Sequence, residues 1–339
     1  MKETRNRAAS VRARLKNLAD ERRQDFDLTL TRYGLERLLY RLSVSRHANS
    51  FVLKGALLVS LWFDAPTRPT RDADLLGFGP DDVDTAVAVF RELCGIAVDN
   101  GIEFDAATVR AKEIRDDVSY GGVRMRVRLV ARLNGARIGL QVDIGFGDAV
   151  TPGPESITYP LLLDDLPAPT LRPYPMVTVI AEKFHALCVL GMANSRMKDY
   201  FDLWFLLRDA SDIAGLRAAI DATFVRRRTT RPNSVPIGVS DSFAGDHDKQ
   251  IQWRAFITRN RLSAPSLAST IAYKWAIAAV GNHNVKGESG SRSNSKRSYQ
   301  PRACSSLAST ITPIIPISTE SRRQRCSASA SNKPPSPCR

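Results

Sequence analysis

Asp72 and Asp74 stand one residue apart in Thr70-Arg-Asp-Ala-Asp74. In a short strand, side chains alternate with period two, so both carboxylates point to the same face. Asp143 ends an alternating run in which Ile138, Leu140 and Val142 take one face, which puts its carboxylate on the other. Three carboxylates brought together repel unless cations neutralise them, and hard oxygen ligands suit Mg²⁺ or Mn²⁺. Such a centre could align a nucleoside triphosphate, lower the pKa of an attacking hydroxyl and stabilise the leaving pyrophosphate. Asp143 is the best placed of the three to activate the acceptor hydroxyl. Gly55 offers backbone N–H groups to a phosphate with no Cβ in the way, at the positive end of the helix expected to follow. Lys183 lies mid-helix among apolar neighbours, and Lys198 precedes Asp199 and Asp202. An ammonium facing a polyphosphate suits both lysines, although Lys183 could equally snorkel to solvent. Asp199 and Asp202 are spaced i,i+3 and share a helix face; Asp199 could fix Lys183, and Asp202 could brace the helix. His185 has no partner spacing for a catalytic dyad and reads as a surface or packing residue.

These residues need elements to hold them. Tyr33, Leu35, Leu38, Leu39 and Leu42 recur at helical spacing over residues 31–44. Phe51–Leu53 reads as a brief buried strand ended by Lys54-Gly55, and Leu57–Phe63 as an apolar helix stopped by Pro66 and Pro69. After the aspartates, Gly77–Pro80 makes a turn, and Asp81 or Asp82 can cap a helix running to about Val98. Two alternating runs flank Asn134-Gly135, the strongest hairpin signal in the chain. The first of them, following Gly121-Gly122, carries Arg124, Arg126, Arg128 and Arg132 mostly on one face. The proline-rich stretch before Val177 is a connector. Helices are then expected over Val177–Gly191, from Lys198 to Leu207, and over Asp212–Ala222. The organisation expected is a charged arm (1–24), a mixed α+β core (25–150), a Pro-rich connector (151–175), a helical domain (176–262) and a low-complexity tail (263–339).

Charge is uneven along the chain. The formal net charge is +14, and residues 283–339 hold ten Lys/Arg against two acidic residues, so the first 282 carry only about +6. A basic balance suits an anionic partner, nucleotide or nucleic acid. The Ser/Arg/Pro-rich tail lacks helix or strand period and cannot bury enough surface to offset ordering entropy, so disorder is expected. A basic arm touching nucleic acid and a reading-frame change near residues 272–285 are the other readings of that tail. The five cysteines form no CxxC or Cys/His cluster, which argues against a disulfide framework or a zinc site. The N-terminus lacks an apolar signal-type run, and no stretch approaches 18 uninterrupted apolar residues. A cytoplasmic protein with no membrane span is expected.

Lys54-Gly55, Thr70-Arg-Asp-Ala-Asp74, Asp143, Ala181-Glu-Lys-Phe-His-Ala186 and Arg196-Met-Lys-Asp-Tyr-Phe-Asp202, in that order, resemble the AbiEii family of nucleotidyltransferase toxins. The likeness covers roughly residues 30–262, and its final Arg-x-Lys-Asp-x-x-Asp element is the most specific part. It implies a DNA polymerase β-like nucleotidyltransferase core with a mixed sheet, followed by a helical domain. It also implies a toxin that adds nucleotides from an NTP to the 3′ acceptor end of tRNA, blocking aminoacylation, restrained by a cognate antitoxin. On that resemblance Asp72, Asp74 and Asp143 hold the metal, and Lys183 and Asp199 join them as catalytic residues. Lys54, Gly55, Arg71, Lys183 and Lys198 hold the nucleotide. Arg68, Arg71 and the Arg124/Arg126/Arg128 face are expected to touch RNA backbone. The wider superfamily has Gly-Ser after its first strand, whereas Gly55-Ala56 stands here. No serine hydroxyl is offered to phosphate, so helix-terminal amides and Lys54 are expected to compensate. A protein or small-molecule acceptor, or an inactive RNA- or antitoxin-binding module, are the alternatives.

Overall fold

Asn134 and Gly135 both take positive φ, 42° and 80°, the backbone a two-residue hairpin turn requires. In the computed structural model they join β4 (Arg124–Leu133) to β5 (Ala136–Phe146). The structure describes residues 2–62, 69–114, 124–208 and 215–272. Expectations for Pro66, Arg68, Gly121-Gly122 and the tail beyond residue 272 lie outside the described residues. All the described residues lie in one compact unit.

β1 (Phe51–Lys54), β2 (Asp72–Gly77), β3 (Ile102–Ile114), β4 and β5 form a five-stranded sheet in the order β1-β2-β5-β4-β3. β2 and β5 are parallel and every other neighbouring pair is antiparallel. Register partners share a face, and one rung crosses all five strands: Lys54, Asp74, Asp143, Arg126 and Lys112. The adjacent rung on that face is Asp72, Gln141, Arg128 and Arg110. On the reverse face Ala73, Leu75, Val127, Leu129, Ile138, Leu140, Val142 and Ile144 are all buried. The alternation of the sequence thus separates a charged face from a core face.

The core face is covered by helices. α1 (Lys2–Glu21) buries Val11, Leu15 and Ala19, so the expected arm is a docked helix. α2 (Phe26–Ser43) begins at Asp25, whose carboxylate accepts from the Leu28 N–H, and runs close over β5. A Cβ on Gly34 would lie 2.9 Å from Leu140, so the glycine permits that approach. After β1, the expected helix is broken into a 3₁₀ turn (Gly55–Leu58) and one turn of α3 (Val59–Trp62). α4 (Val83–Gly95) is capped by Asp82, which accepts from the Thr85 N–H at 2.8 Å.

The connector is more structured than its prolines imply. It contains the small pair β6 (Ile157–Thr158) and β7 (Thr170–Leu171). It then docks on β1: the Leu53 N–H donates to Arg172 O and the Tyr174 N–H to Leu53 O, both at 2.8 Å. α5 (Met176–Leu190), α6 (Met197–Arg208), α7 (Leu216–Arg226), α8 (Asp241–Gly245), α9 (His247–Arg259) and α10 (Leu267–Ala272) complete the described fold. Residues Met176–Ala193 are long and apolar enough to cross a membrane, but half of that window is buried in the fold. It also carries Glu182 and Lys183, which face the cleft described next.

Candidate active site

Lys54, Gly55, Arg71, Asp72, Asp74, Asp143, Lys183, Lys198 and Asp199 all line one cleft of about 1090 Å³. The charged face of the sheet supplies one side and the facing ends of α5 and α6 the other. Every nucleotide, metal and catalytic residue expected from the sequence is brought to it.

On the sheet side, Asp74 is the most strained charge. Burial and then the neighbouring Asp72 push its carboxyl above the usual range, against the pull of Lys54 and Lys198. Gly55 sits at φ +78°, and a Cβ there would fall 2.0 Å from Asp74 Oδ2. Glycine is therefore demanded twice, by the backbone and by the carboxylate beside it. The turn after it is too short for a helix dipole, so the expected helix-end phosphate grip has little behind it. Asp72 accepts from the Thr70 hydroxyl at 2.6 Å.

Asp143, expected as the third metal ligand, is paired with an arginine. Arg126, its register partner on β4, donates Nε and Nη2 to the two Asp143 oxygens at 2.8 and 2.7 Å. This bidentate pair supplies the cation that carboxylate crowding requires. Among the described residues, no group of three or more His, Cys, Asp or Glu side chains is arranged to hold a metal. Asp72 and Asp74 remain a same-face pair of hard oxygen donors under like-charge pressure, chemistry that fits a divalent cation. Arg124, Arg126 and Arg128, the face expected to touch RNA backbone, line the cleft, with Arg128 bonded to Gln141 Oε1 at 3.1 Å. Arg71 reaches back to the α2 cap, 3.1 Å from Asp25.

The helix side is closed on itself. Lys183 Nζ lies 2.8 Å from Asp199 Oδ1 and 2.9 Å from Asp202 Oδ2, and Arg196 Nε lies 2.8 Å from Asp199 Oδ2. Burial pushes Asp199 up, but Lys183, Arg196 and Lys198 outweigh it and hold the carboxyl at about 2. His185 is a packing residue: buried, bonded to Thr229 Oγ1 at 2.8 Å and edge-on to Phe224.

A third cluster was not anticipated. Lys54 Nζ bonds Asp148 at 2.7 Å and lies 5.6 Å from the Tyr174 ring centre. Arg227 stands 3.7 Å from Asp148 and 3.8 Å from Glu182. Burial lowers the Lys54 pKa, but Glu182, Asp148 and Asp74 more than reverse it, so its ammonium is held charged. Lys54 thus bridges Asp74 to a buried ionic layer. Asp148 follows β5 within Gly145-Phe-Gly-Asp148, and Arg227 sits in an Arg run at the end of α7. Neither position has a periodicity that would have marked it.

A mixed sheet bearing paired carboxylates, closed over by helices bearing lysine and aspartate, defines a DNA polymerase β-like nucleotidyltransferase core with a helical region behind it. The chain belongs to the family described as nucleotidyl transferase AbiEii toxin, type IV toxin–antitoxin system, whose profile matches residues 37–280. Among solved structures it is similar to JHP933 from Helicobacter pylori, with 16% identity over 75% of this chain and 90% of that one, and a TM-score of 0.44. It is also similar to a "putative nucleotidyltransferase" from H. pylori, with 16% identity over 74% and 92% of the two chains, and a TM-score of 0.41. No curated protein matches the chain.

Proposed function

We propose that the protein transfers a nucleotide from an NTP to the 3′ hydroxyl at the acceptor end of tRNA, as a toxin held in check by a cognate antitoxin. The observation that carries this reading is the convergence of Asp72, Asp74, Asp143, Lys183 and Asp199 on one cleft that Arg110, Arg124, Arg126 and Arg128 also line. Carboxylates suit the reacting centre, and an arginine-lined wall suits a polyanionic acceptor. In the reaction, the acceptor 3′ oxygen attacks the α-phosphorus. The new O–P bond forms as the bond to the β-phosphate bridging oxygen breaks, and pyrophosphate leaves with the electron pair.

Mg²⁺ or Mn²⁺, when bound, would neutralise the triphosphate and stabilise charge on the leaving pyrophosphate. Asp72 and Asp74 would hold it, with Asp143 as a third ligand if Arg126 releases it. Asp143 would otherwise take the hydroxyl proton. Lys183 and Lys198 would face the polyphosphate, with Asp199 orienting Lys183. Lys54 and Arg71 would steady the nucleotide beside Gly55.

Incubation with Mg²⁺, total tRNA and each labelled NTP in turn tests the reading. Label on tRNA, abolished by Asp72→Ala and by Lys183→Ala, is expected. Label on protein with none on RNA would move the acceptor to a polypeptide, and unchanged labelling in both variants would dismiss the site.

A further inference from the structure

One rung of the sheet's charged face carries two cation–carboxylate neighbours, and they end differently. Arg126 and Asp143 are register partners on β4 and β5, and the guanidinium closes on both carboxylate oxygens at 2.8 and 2.7 Å. Lys54 and Asp74 are register partners on β1 and β2, close enough for a similar closure. Lys54 Nζ instead bonds Asp148 Oδ2 at 2.7 Å. Among the described residues no ion pair closes on Asp74, although Lys54 and Lys198 both act on it through space.

What draws Lys54 aside is built into the exit of β5, where Asp148 follows Gly145-Phe-Gly147. A Cβ on Gly145 would lie 3.1 Å from Lys54 Nζ and 3.6 Å from Asp148 Oδ2, so the glycine leaves the room in which the two meet. Gly147 takes φ +77°, a conformation glycine adopts without strain, and Arg226 at the end of α7 donates to its carbonyl. Arg227 stands 3.7 Å from Asp148 Oδ1, the oxygen that Lys54 does not use. The Lys54 ammonium also lies 5.6 Å from the Tyr174 ring centre and is attracted by Glu182 on α5. The Lys54 and Asp148 side chains are each only 13% exposed, where a charge pair is weakly screened.

We propose that Asp148 is a positioning residue: it holds Lys54 off Asp74, so that the Asp72–Asp74 pair stays open to a divalent cation. The proposal rests on the reading of those two aspartates as the cation site. A buried ammonium that loses one carboxylate partner pairs with the next within reach, which here is the one across the rung. Without the Asp148 charge, Lys54 would cover Asp74 as Arg126 covers Asp143.

The test is a double-mutant cycle on Mn²⁺ binding without NTP, read from the free-ion electron paramagnetic resonance signal. It compares full-length wild type, Asp148→Asn, Lys54→Met and the double variant. Where thermal unfolding shows that one of these is not folded, Asp148→Ser or Lys54→Gln takes its place. Asp148→Asn is expected to bind Mn²⁺ on the order of tenfold more weakly, and Lys54→Met in that background to restore binding. Loss of a nearby negative charge would by itself weaken binding, but Lys54→Met would then raise affinity by the same factor in both backgrounds. The signature of positioning is a gain from Lys54→Met several-fold larger in the Asp148→Asn background than in wild type. Equal gains, or wild-type affinity in folded Asp148→Asn, would overturn the positioning role alone. Wild-type protein that binds no Mn²⁺ would overturn the cation site and this proposal together.

Discussion

The two sides of the cleft use the same side chain in opposite ways. On the sheet, Asp74 is pushed above the ordinary carboxylate range by burial and by Asp72. On the helices, Asp199 is more completely buried, yet lysine and arginine partners bring it down to about 2. Burial alone therefore decides neither. The helix side is a finished ionic brace between α5 and α6, whereas on the sheet side Asp74 stays under the like charge of Asp72. A carboxylate pair under like-charge pressure fits a cation site, and a satisfied network fits a scaffold that aims Lys183 into the cleft.

The sharpest way to break this contrast is to remove one carboxylate from each side. Asp199→Ala leaves Lys183 and Arg196 buried beside an absent partner, and should cost about 3–5 kcal/mol in thermal or denaturant unfolding. Asp74→Asn removes a charge the fold disfavours, so stability should hold or rise. Both should lose nucleotide transfer. Equal destabilisation would erase the distinction between brace and binding site.

Acid should separate the sides by sign. His185, behind the brace, is held down at about 4 by burial and by Arg227, whose Nη1 lies 3.3 Å from Nδ1. Thr229 and Phe224 complete its surroundings. The unfolded chain takes up that proton first, so stability falls as pH drops from about 6.5 to about 4, on the order of 3 kcal/mol. Asp199 extends the loss below the ordinary carboxylate range, because its folded pKa is depressed. Asp74 acts the other way, since protonating a carboxyl with a raised folded pKa relieves strain. His185→Gln should flatten the pH–stability curve between 6.5 and 4; an unchanged slope would show that the imidazole titrates freely.

Gly55 tests the junction of the two behaviours. At φ +78°, with Asp74 Oδ2 2.0 Å from a Cβ position, Gly55→Ala strains the backbone and displaces the carboxylate. A loss of about 1–3 kcal/mol is expected, together with weaker NTP binding in equilibrium dialysis. Wild-type stability and nucleotide affinity would mean that the turn can relax at no cost to the site.

What was legible in the sequence follows the periodicity of its elements. Alternation around Asn134-Gly135 placed Asp143 opposite Ile138, Leu140 and Val142, as the buried face of β5 shows. The i,i+3 spacing of Asp199 and Asp202 put both on Lys183. Register was not legible. Nothing local in Arg126 says that it stands opposite Asp143, because which strands pair, and at which residue, is settled by the whole sheet. For that reason the pairing of Arg126 with Asp143, beside Asp72 and Asp74, could not be foreseen. Lys54 was marked for its place before Gly55, but its partners Asp148 and Glu182, and the Arg227 that stands beside both of them, come from β5's exit, α5 and α7's end. Only tertiary structure brings them together.

Arg126 gives the smallest expected effect and the most direct reading of the sheet side. Its guanidinium covers both Asp143 oxygens, so a cation reaching all three carboxylates must first compete with an arginine of the same charge. Arg126→Gln removes that competitor and leaves Asp143 hydrogen-bonding capacity on β4. Mn²⁺ binding, followed by the loss of free-ion electron paramagnetic resonance signal, should tighten several-fold in Arg126→Gln, and Asp143→Asn should return it to the weaker level. If Mn²⁺ binds wild type and Arg126→Gln alike while Asp72→Asn abolishes binding, the metal belongs to Asp72 and Asp74 alone. Asp143 would then be part of the sheet's own ion pairing, as closed on itself as Asp199 across the cleft.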